Sequence, residues 1–311
     1  MSKRIVFFDD RGGCSPSWVN ARACGGSEMH QIQIFEHLAR KGHDVRVFHR
    51  GGDSVEAGVN YVDCERCVPS EADALVVIGR ASMPQCRAPK TYAFQVVDPR
   101  PHPQLFDHLK GKATMVCVSE WQAGLFRAIG HEAVVIPVPI PDEWYAPPAR
   151  QFVPGRFLCL SSWNKGARET IEAWDNSWGE LAVGSPYSQP VDAEAICRSR
   201  GVTWLGALTP RKRWIDALMT AQYGARVCTI GETFGVTDAA FRAMGISSYT
   251  LCTGDLGALP ETGAAPFHGL TGREQWEDAI CRRAAHPGAS TRDVNDFRMS
   301  KILPQWEALL A

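Results

Sequence analysis

The sequence predicts an α/β chain in two halves, each a parallel sheet covered by helices. Three observations carry that expectation. Short apolar runs alternate with helical periodicity twice along the chain, and a proline-dense stretch separates the two series. The length of 311 residues also exceeds one typical core of about 100–200 residues.

The first series opens with the apolar run Arg4 to Phe8, which ends in the polar loop Asp9-Asp10-Arg11-Gly12-Gly13 and reads as a buried strand. From Ser27 to Arg40, Met29, Ile32, Phe35, Leu38 and Ala39 share one face at a 3.6-residue period, and Gly42 supplies the stop. Strand-like runs follow at 44–48, 60–62, 74–78, 91–97 and 115–118. Ser119 is placed to cap a helix from Glu120 to Ile129, and Ala133 to Ile136 makes one more strand.

Pro137 to Pro154 reads as the interdomain linker. The second series then predicts strands at 156–160, 180–183, 202–205, 226–230 and 247–251, with helices near 167–174, 191–200, 209–221 and 236–244. From Thr271 onward the pattern is helical, with Trp276, Ile280, Ile302, Trp306 and Leu309 as anchors and Pro287-Gly288 as a break. The expected domains are 1–145 and 146–290, with a terminal helix over 291–311.

Composition narrows the function classes. Thirty-three basic and thirty-four acidic side chains leave a formal net charge of −1, so no global field draws the chain to nucleic acid or an anionic membrane. No apolar run approaches the roughly 18 residues that span a bilayer, which points to a cytoplasmic protein with no transmembrane segment. Eleven scattered cysteines fit reduced thiols, and the lone Cys64/Cys67 CxxC, with Cys86 its nearest companion, lacks the second pair of a zinc site. No metal is expected.

Three loop-to-helix junctions can carry chemistry. Gly25-Gly26-Ser27-Glu28 precedes the strongest helix, where glycines let a ligand approach the backbone and the first N–H groups favour an anion. Lys165-Gly166 follows the strand 156–160 and can present an ammonium to a phosphate. Glu232-Thr233-Phe234-Gly235 lies between a strand and a helix, where a carboxylate accepts hydrogen bonds from sugar hydroxyls. Each also has an ordinary reading as a turn or a helix start. Together, at strand carboxyl ends of two facing sheets, they predict one shared phosphate-binding groove. A GxGxxG fingerprint is absent, which lowers the case for an oxidoreductase.

Taken in order, the motifs resemble those of the retaining glycosyltransferases of the GT-B fold, the family-four type. They are Gly25-Gly26-Ser27-Glu28 with Lys41-Gly42-His43-Asp44-Val45, Val118-Ser119-Glu120-Trp121-Gln122, Ile136-Pro137-Val138-Pro139-Ile140, Ser161-Ser162-Trp163-Asn164-Lys165-Gly166, Trp204-Leu205-Gly206 and Glu232-Thr233-Phe234-Gly235. The resemblance implies two Rossmann-like domains across a cleft, with the last helix returning to the first domain. It implies that Gly25, Gly26 and Lys165 meet a donor diphosphate and that Glu232 contacts the transferred sugar. It further implies that the backbone of Phe234, Gly235 and Val236 holds phosphate. On the acceptor side Asp98 fits the family's aspartate, and His102 is the histidine within reach of that loop. His102 also reads as a surface residue after prolines, and Arg80 as a cleft residue or a solvated one.

Two departures stand out. The second glutamate, eight positions after Glu232 and used on ribose, is Ala240 here; Asp238 is offset on the helix by about 200°. The arginine before the Lys-Gly turn is also missing, with Arg11, Arg22 and Arg168 as substitutes. The expected activity is transfer of a sugar from a nucleoside diphosphate sugar to a hydroxyl acceptor with retention, without a cofactor or metal. The sequence also admits two alternatives. One is transfer to a hydroxylated base in DNA, motivated by Arg211-Lys212-Arg213-Trp214, although a solvated helix start explains those residues too. The other is a non-catalytic sugar-nucleotide-binding scaffold, motivated by Ala240.

Overall fold

The computed structural model describes residues 2–17, 26–147, 149–185, 190–208, 211–252, 255–262, 267–268, 277 and 292–310. They form two compact units. One contains Gly26–Pro139 with the N-terminal residues and Met299–Ala311, and the other contains Ile140–Arg298. The chain crosses between them after Pro139 and after Arg298, where the sequence reading placed boundaries at 145 and 290. Among the described residues no helix is long and apolar enough to cross a membrane.

In the first unit, β1 (Arg4–Phe8) is followed by α1 (Gly26–Arg40), β2 (Asp44–His49), β3 (Ser54–Glu56), β4 (Val59–Asp63), β5 (Ala74–Ile78) and β6 (Lys90–Gln95). Then come β7 (Thr114–Cys117), α2 (Glu120–Ala128) and β8 (Ala133–Val135). The sheet order is β3-β4-β2-β1-β5-β6-β7-β8, parallel except where β3 folds back on β4. Every residue of β5, and all of β1 after Arg4, is buried, as expected of strands covered on both faces. The β3–β4 hairpin escaped the sequence reading because its turn is Ala57-Gly58. Both residues take positive φ (52° and 81°), and an alanine there hides the usual Asn-Gly signal.

The second unit runs β9 (Arg156–Leu160), α3 (Ala167–Ala173), β10 (Glu180–Ser185), α4 (Ala193–Ser199), β11 (Thr203–Ala207) and α5 (Arg211–Thr220). It continues with β12 (Tyr223–Cys228), α6 (Val236–Ala243), β13 (Ser247–Cys252), α7 (Leu259–Thr262) and β14 (Phe267–His268). Its parallel sheet has the order β11-β10-β9-β12-β13-β14, the doubly wound pattern. Phe157, Leu181, Val183, Val227 and Leu251 fill the space between sheet and helices. The strand expected at 226–230 begins and ends earlier, at 223–228. Gly224 lets the strand start there, because a Cβ on it would lie 2.5 Å from the Phe241 ring, and Ile230 is already 45% exposed.

The proline-dense stretch, within which the chain passes from one unit to the other, is packed as a strap. Ile136, Val138, Ile140 and Trp144 are buried, and the Ile140 N–H donates to Phe297 O at 2.7 Å. The last helix, α8 (Met299–Leu310), belongs to the first unit. Trp306 packs edge-on against Phe94 (5.4 Å) and His30 (6.4 Å), while Glu307 pairs with Lys41 at 3.4 Å. The helices expected around Trp276, Ile280 and the Pro287-Gly288 break lie outside the described residues.

Candidate active site

A doubly wound parallel sheet leaves a crevice where the strand order reverses, because neighbouring strands there send their following helices to opposite faces. In the second unit the reversal falls between β9 and β12. The loop after β9 carries Lys165-Gly166 and the loop after β12 carries Glu232, so the topology alone predicts their meeting. Lys165 Nζ lies 3.3 Å from Glu232 Oε2.

Local backbone chemistry fixes this pair. Gly166 sits at φ +109°, and a Cβ there would fall 2.0 Å from Val227 O of β12; only glycine lets the turn approach that strand. Thr170 of α3 accepts from the Val227 N–H at 2.8 Å and donates to Gly166 O at 2.7 Å, which ties helix, turn and strand together. On the other side, Gly257 at φ +60° passes against the Glu232 backbone, and the Ala258 N–H donates to Glu232 O at 2.7 Å.

Beneath Glu232 lies a residue that sequence reading passed over. Arg226, within β12 and 3% exposed, donates from Nη1 to Glu232 Oε1 at 3.1 Å and from Nη2 to Asp238 Oδ2. Asp238 is fully buried and accepts from Thr250 Oγ1 at 2.7 Å. Burial opposes the Arg226 charge, but Asp238 and Glu232 outweigh it and raise the guanidinium above its ordinary value. Burial likewise pushes the Glu232 carboxyl up, but Lys165 and Arg226 together bring it below its ordinary value. The signal was a charged residue inside the apolar run Ala225–Cys228: a buried cation needs an anion, and Glu232 and Asp238 follow six and twelve positions later. Arg168, considered as the missing cation, is paired at the surface with Glu172 at 2.7 Å, and Arg22 lies outside the described residues.

The segment after Glu232 enters α6. Phe234 is buried edge-on against Phe297 at 5.2 Å, and Gly235 is the N-cap residue. The Val236 N–H, expected to face phosphate, donates to Phe234 O at 2.9 Å. Thr237 Oγ1 donates to Leu160 O at 3.2 Å, which fastens the start of α6 to the end of β9. Ala240 is fully buried on the inner face of α6.

The remaining expected residues lie in the first unit. Its strand order reverses between β1 and β5, where Asp10 accepts from the Ser82 N–H at 3.2 Å. Asp9 accepts from the Arg11 N–H at 3.0 Å, burial raises the Asp9 carboxyl above its ordinary value, and the Arg11 side chain is exposed. Gly26 is the exposed first residue of α1; Gly25 lies outside the described residues. Asp98 is held by its neighbour Arg100, with Nε 3.0 Å from both carboxylate oxygens and Nη2 at 2.7 Å, and Arg100 in turn covers the Trp121 ring at 4.9 Å. His102 is exposed at the start of a short 3-10 helix and caps it with no side-chain bond. Arg80 is half-buried over the Phe106 ring at 5.8 Å.

Among the described residues no three His, Cys, Asp or Glu side chains are grouped to hold a metal ion, and no disulfide joins the described cysteines. Two of the residues that suggested DNA are engaged within the unit: Arg213 donates to Leu205 O and Ala207 O, and Trp214 packs on Trp144 at 5.6 Å.

Solved structures share this architecture along the whole chain. AviGT4, a glycosyltransferase involved in avilamycin A biosynthesis, superposes with a TM-score of 0.68 at 16% identity, covering 99% of this chain and 97% of its own. Alr3699/HepE of Anabaena, solved with UDP-glucose, gives 0.67 at 13% identity with 99% of both chains covered. Sucrose-phosphate synthase from Thermosynechococcus elongatus gives 0.61 at 13% identity, covering 99% and 96%.

The chain has the GT-B fold.

No family model matches the sequence, and no curated protein matches it either. Within the GT-B fold, Lys165 and Glu232 occupy the switch point of the second unit, whereas Asp98, His102, Arg11 and Gly26 stand at the carboxyl ends of strands or the start of α1 in the first.

Proposed function

We propose that this GT-B chain transfers a sugar from a nucleoside diphosphate sugar to a hydroxyl acceptor, with retention at the anomeric carbon. The observation that carries the reading is the Lys165–Glu232 pair at the second unit's switch point, 3.3 Å apart, one a partly exposed cation and the other a buried carboxylate. A cation there neutralises charge on the leaving diphosphate, and a carboxylate orients the sugar through its hydroxyls. Alr3699/HepE, which shares the fold, was solved with UDP-glucose, and that supports a nucleotide sugar as donor.

In this reading Lys165, with backbone N–H groups at Gly25, Gly26 and the start of α6, holds the diphosphate. Arg11 adds charge from the loop after β1. Glu232 fixes the sugar, and His102 and Asp98 serve the acceptor side. Asp98 then acts through Arg100 or after releasing it, because the free carboxylate is not available while the bidentate pair persists. No metal takes part. The Val236 N–H is excluded from the phosphate contacts unless its bond to Phe234 O opens. The reaction is assigned to the cytoplasm, in keeping with reduced thiols.

Calorimetry against uridine, guanosine and adenosine diphosphate sugars, paired with a donor-hydrolysis and transfer assay, tests the reading. Binding of at least one donor with turnover that Glu232→Ala abolishes is expected. Binding without turnover assigns the chain to a scaffold, and absence of binding to all donors removes the reading.

A further inference from the structure

Glu232 has both carboxylate oxygens occupied by cations, and the two cations differ in freedom. Lys165 reaches Oε2 from a half-buried turn with its side chain 36% exposed. Arg226 reaches Oε1 from inside the sheet at 3% exposure, and its other arm is locked by Asp238, itself locked by Thr250. A donor that binds here draws Lys165 to its diphosphate and needs one Glu232 oxygen for a sugar hydroxyl. Of the two cations, Lys165 alone has open surface to turn toward. Were it the sole counter-ion, its departure would leave a carboxylate at 8% exposure uncompensated, and burial would favour its protonation.

We propose that Arg226 is a positioning residue for Glu232, a resident counter-ion that keeps it an ionised, correctly oriented acceptor while Lys165 changes partner from Glu232 to the donor diphosphate. The inference rests on the proposed sugar transfer for its purpose, but the electrostatic claim stands on the geometry of Arg226, Asp238 and Glu232. The groups that face Glu232 are Lys165 from the turn after β9, Arg226 and Cys228 from β12, and Asp238 of α6 through Arg226. The hydrogen bond to Cys252, with burial after it, raises the Cys228 thiol above its ordinary value, which favours its uncharged form.

The test reads Glu232 directly, by carboxyl carbon NMR in glutamate-labelled protein, with the resonance assigned by its loss in Glu232→Gln. The double variant Arg226→Met/Asp238→Leu removes the buried ion pair as a unit and leaves no stranded charge, a replacement that folded proteins tolerate. Glu232 should then titrate roughly one to three pH units higher than in the wild type. The single variant Lys165→Met, at a half-buried turn where folding is not at stake, should leave Glu232 below its ordinary value, held there by Arg226.

If Glu232 titrates in the double variant as in the wild type, or if Lys165→Met alone raises it into the ordinary carboxylate range, Arg226 is not the resident counter-ion. Should the double variant fail to fold, Lys165→Met still decides. In turnover, the double variant should move the acid limb of kcat/KM upward by the same shift seen in the carboxyl titration, and Arg226→Lys should restore part of it; a purely structural role moves neither. Absence of donor binding in the wild type would remove the proposed function and leave the titration result standing.

Discussion

Replacing Gly166 by alanine tests whether the Lys165 turn is held in register by its contact with β12. A Cβ at this position would stand 2.0 Å from Val227 O and 2.7 Å from Val227 C. An ordinary contact for a Cβ is 3.4–4 Å, so the turn and strand must separate by more than 1 Å, and the carbonyl cannot swing aside like a flexible side chain. The residue also keeps φ +109°, a region that costs an L-residue roughly 1–2 kcal/mol. A displacement of about 1 Å at a catalytic group costs on the order of a hundredfold in rate. Gly166→Ala should therefore lose about two orders of magnitude in kcat/KM and a few degrees in Tm, because the Lys165–Glu232 distance opens. Steady-state transfer kinetics and a thermal melt measure both. A variant within a few-fold of the wild type would show that the turn relaxes without moving Lys165, and the reasoning from the close approach would fail.

Two further predictions concern acid stability and metal. His30 is 1% exposed with neither ring nitrogen bonded, and burial pushes its imidazole down to about 3. Its folded value lies below the unfolded one of about 6.5, so the stability is fully present above about 6.5 and is lost as pH falls toward about 3. At pH 4.5 the loss from this group is about 3 kcal/mol. The protection factors of the α1 amides, exchange rates divided by the intrinsic rate at each pH, should fall accordingly, and His30→Phe should flatten that dependence; an unchanged slope refutes the assignment. Excess chelator should leave transfer within about twofold of its starting rate, since a cation and backbone dipoles are assigned the diphosphate charge; loss restored by a divalent ion would refute it.

How much the sequence disclosed depends on whether the signal is local. The β1 and β9 runs, the α1 stripe and the loop glycines are patterns within a few residues, and the structure puts their elements within a few positions of the expected bounds. Lys165 and Glu232 are 67 residues apart, and their meeting followed only from the strand order. What stayed hidden was non-local compensation. Arg226 drew no notice at the head of an expected strand and Asp238 read as an offset helix residue, because neither announces the other across twelve positions. Asp98 fits the family's acceptor-side aspartate by position, and nothing local told that Arg100 two positions on folds back over it. Trp214 looked like a stacking surface until Trp144 of the strap was found against it. In each case the residue type was legible and its partner was not.

The charges in the second unit's site set one last expectation. Lys165 and Arg226 carry two positive charges, and Glu232 and Asp238 two negative ones, so the quartet is neutral before a donor arrives. A neutral site gives a free nucleoside diphosphate little electrostatic gain, and Glu232 works against it unless a sugar hydroxyl is there to bond the carboxylate. Glu232→Gln keeps the shape, removes one negative charge and releases Lys165. With a phosphate about 8 Å away and an effective dielectric constant of about 20, the lost repulsion amounts to roughly 1–2 kcal/mol after screening. The variant should thus bind the nucleoside diphosphate alone roughly five- to thirtyfold more tightly while transferring sugar far more slowly. Titration calorimetry at low and high salt, run beside the transfer assay, separates the two effects. Equal diphosphate affinity in the two proteins would mean that Lys165 does not exchange between Glu232 and phosphate, and that the donor's charge is met elsewhere.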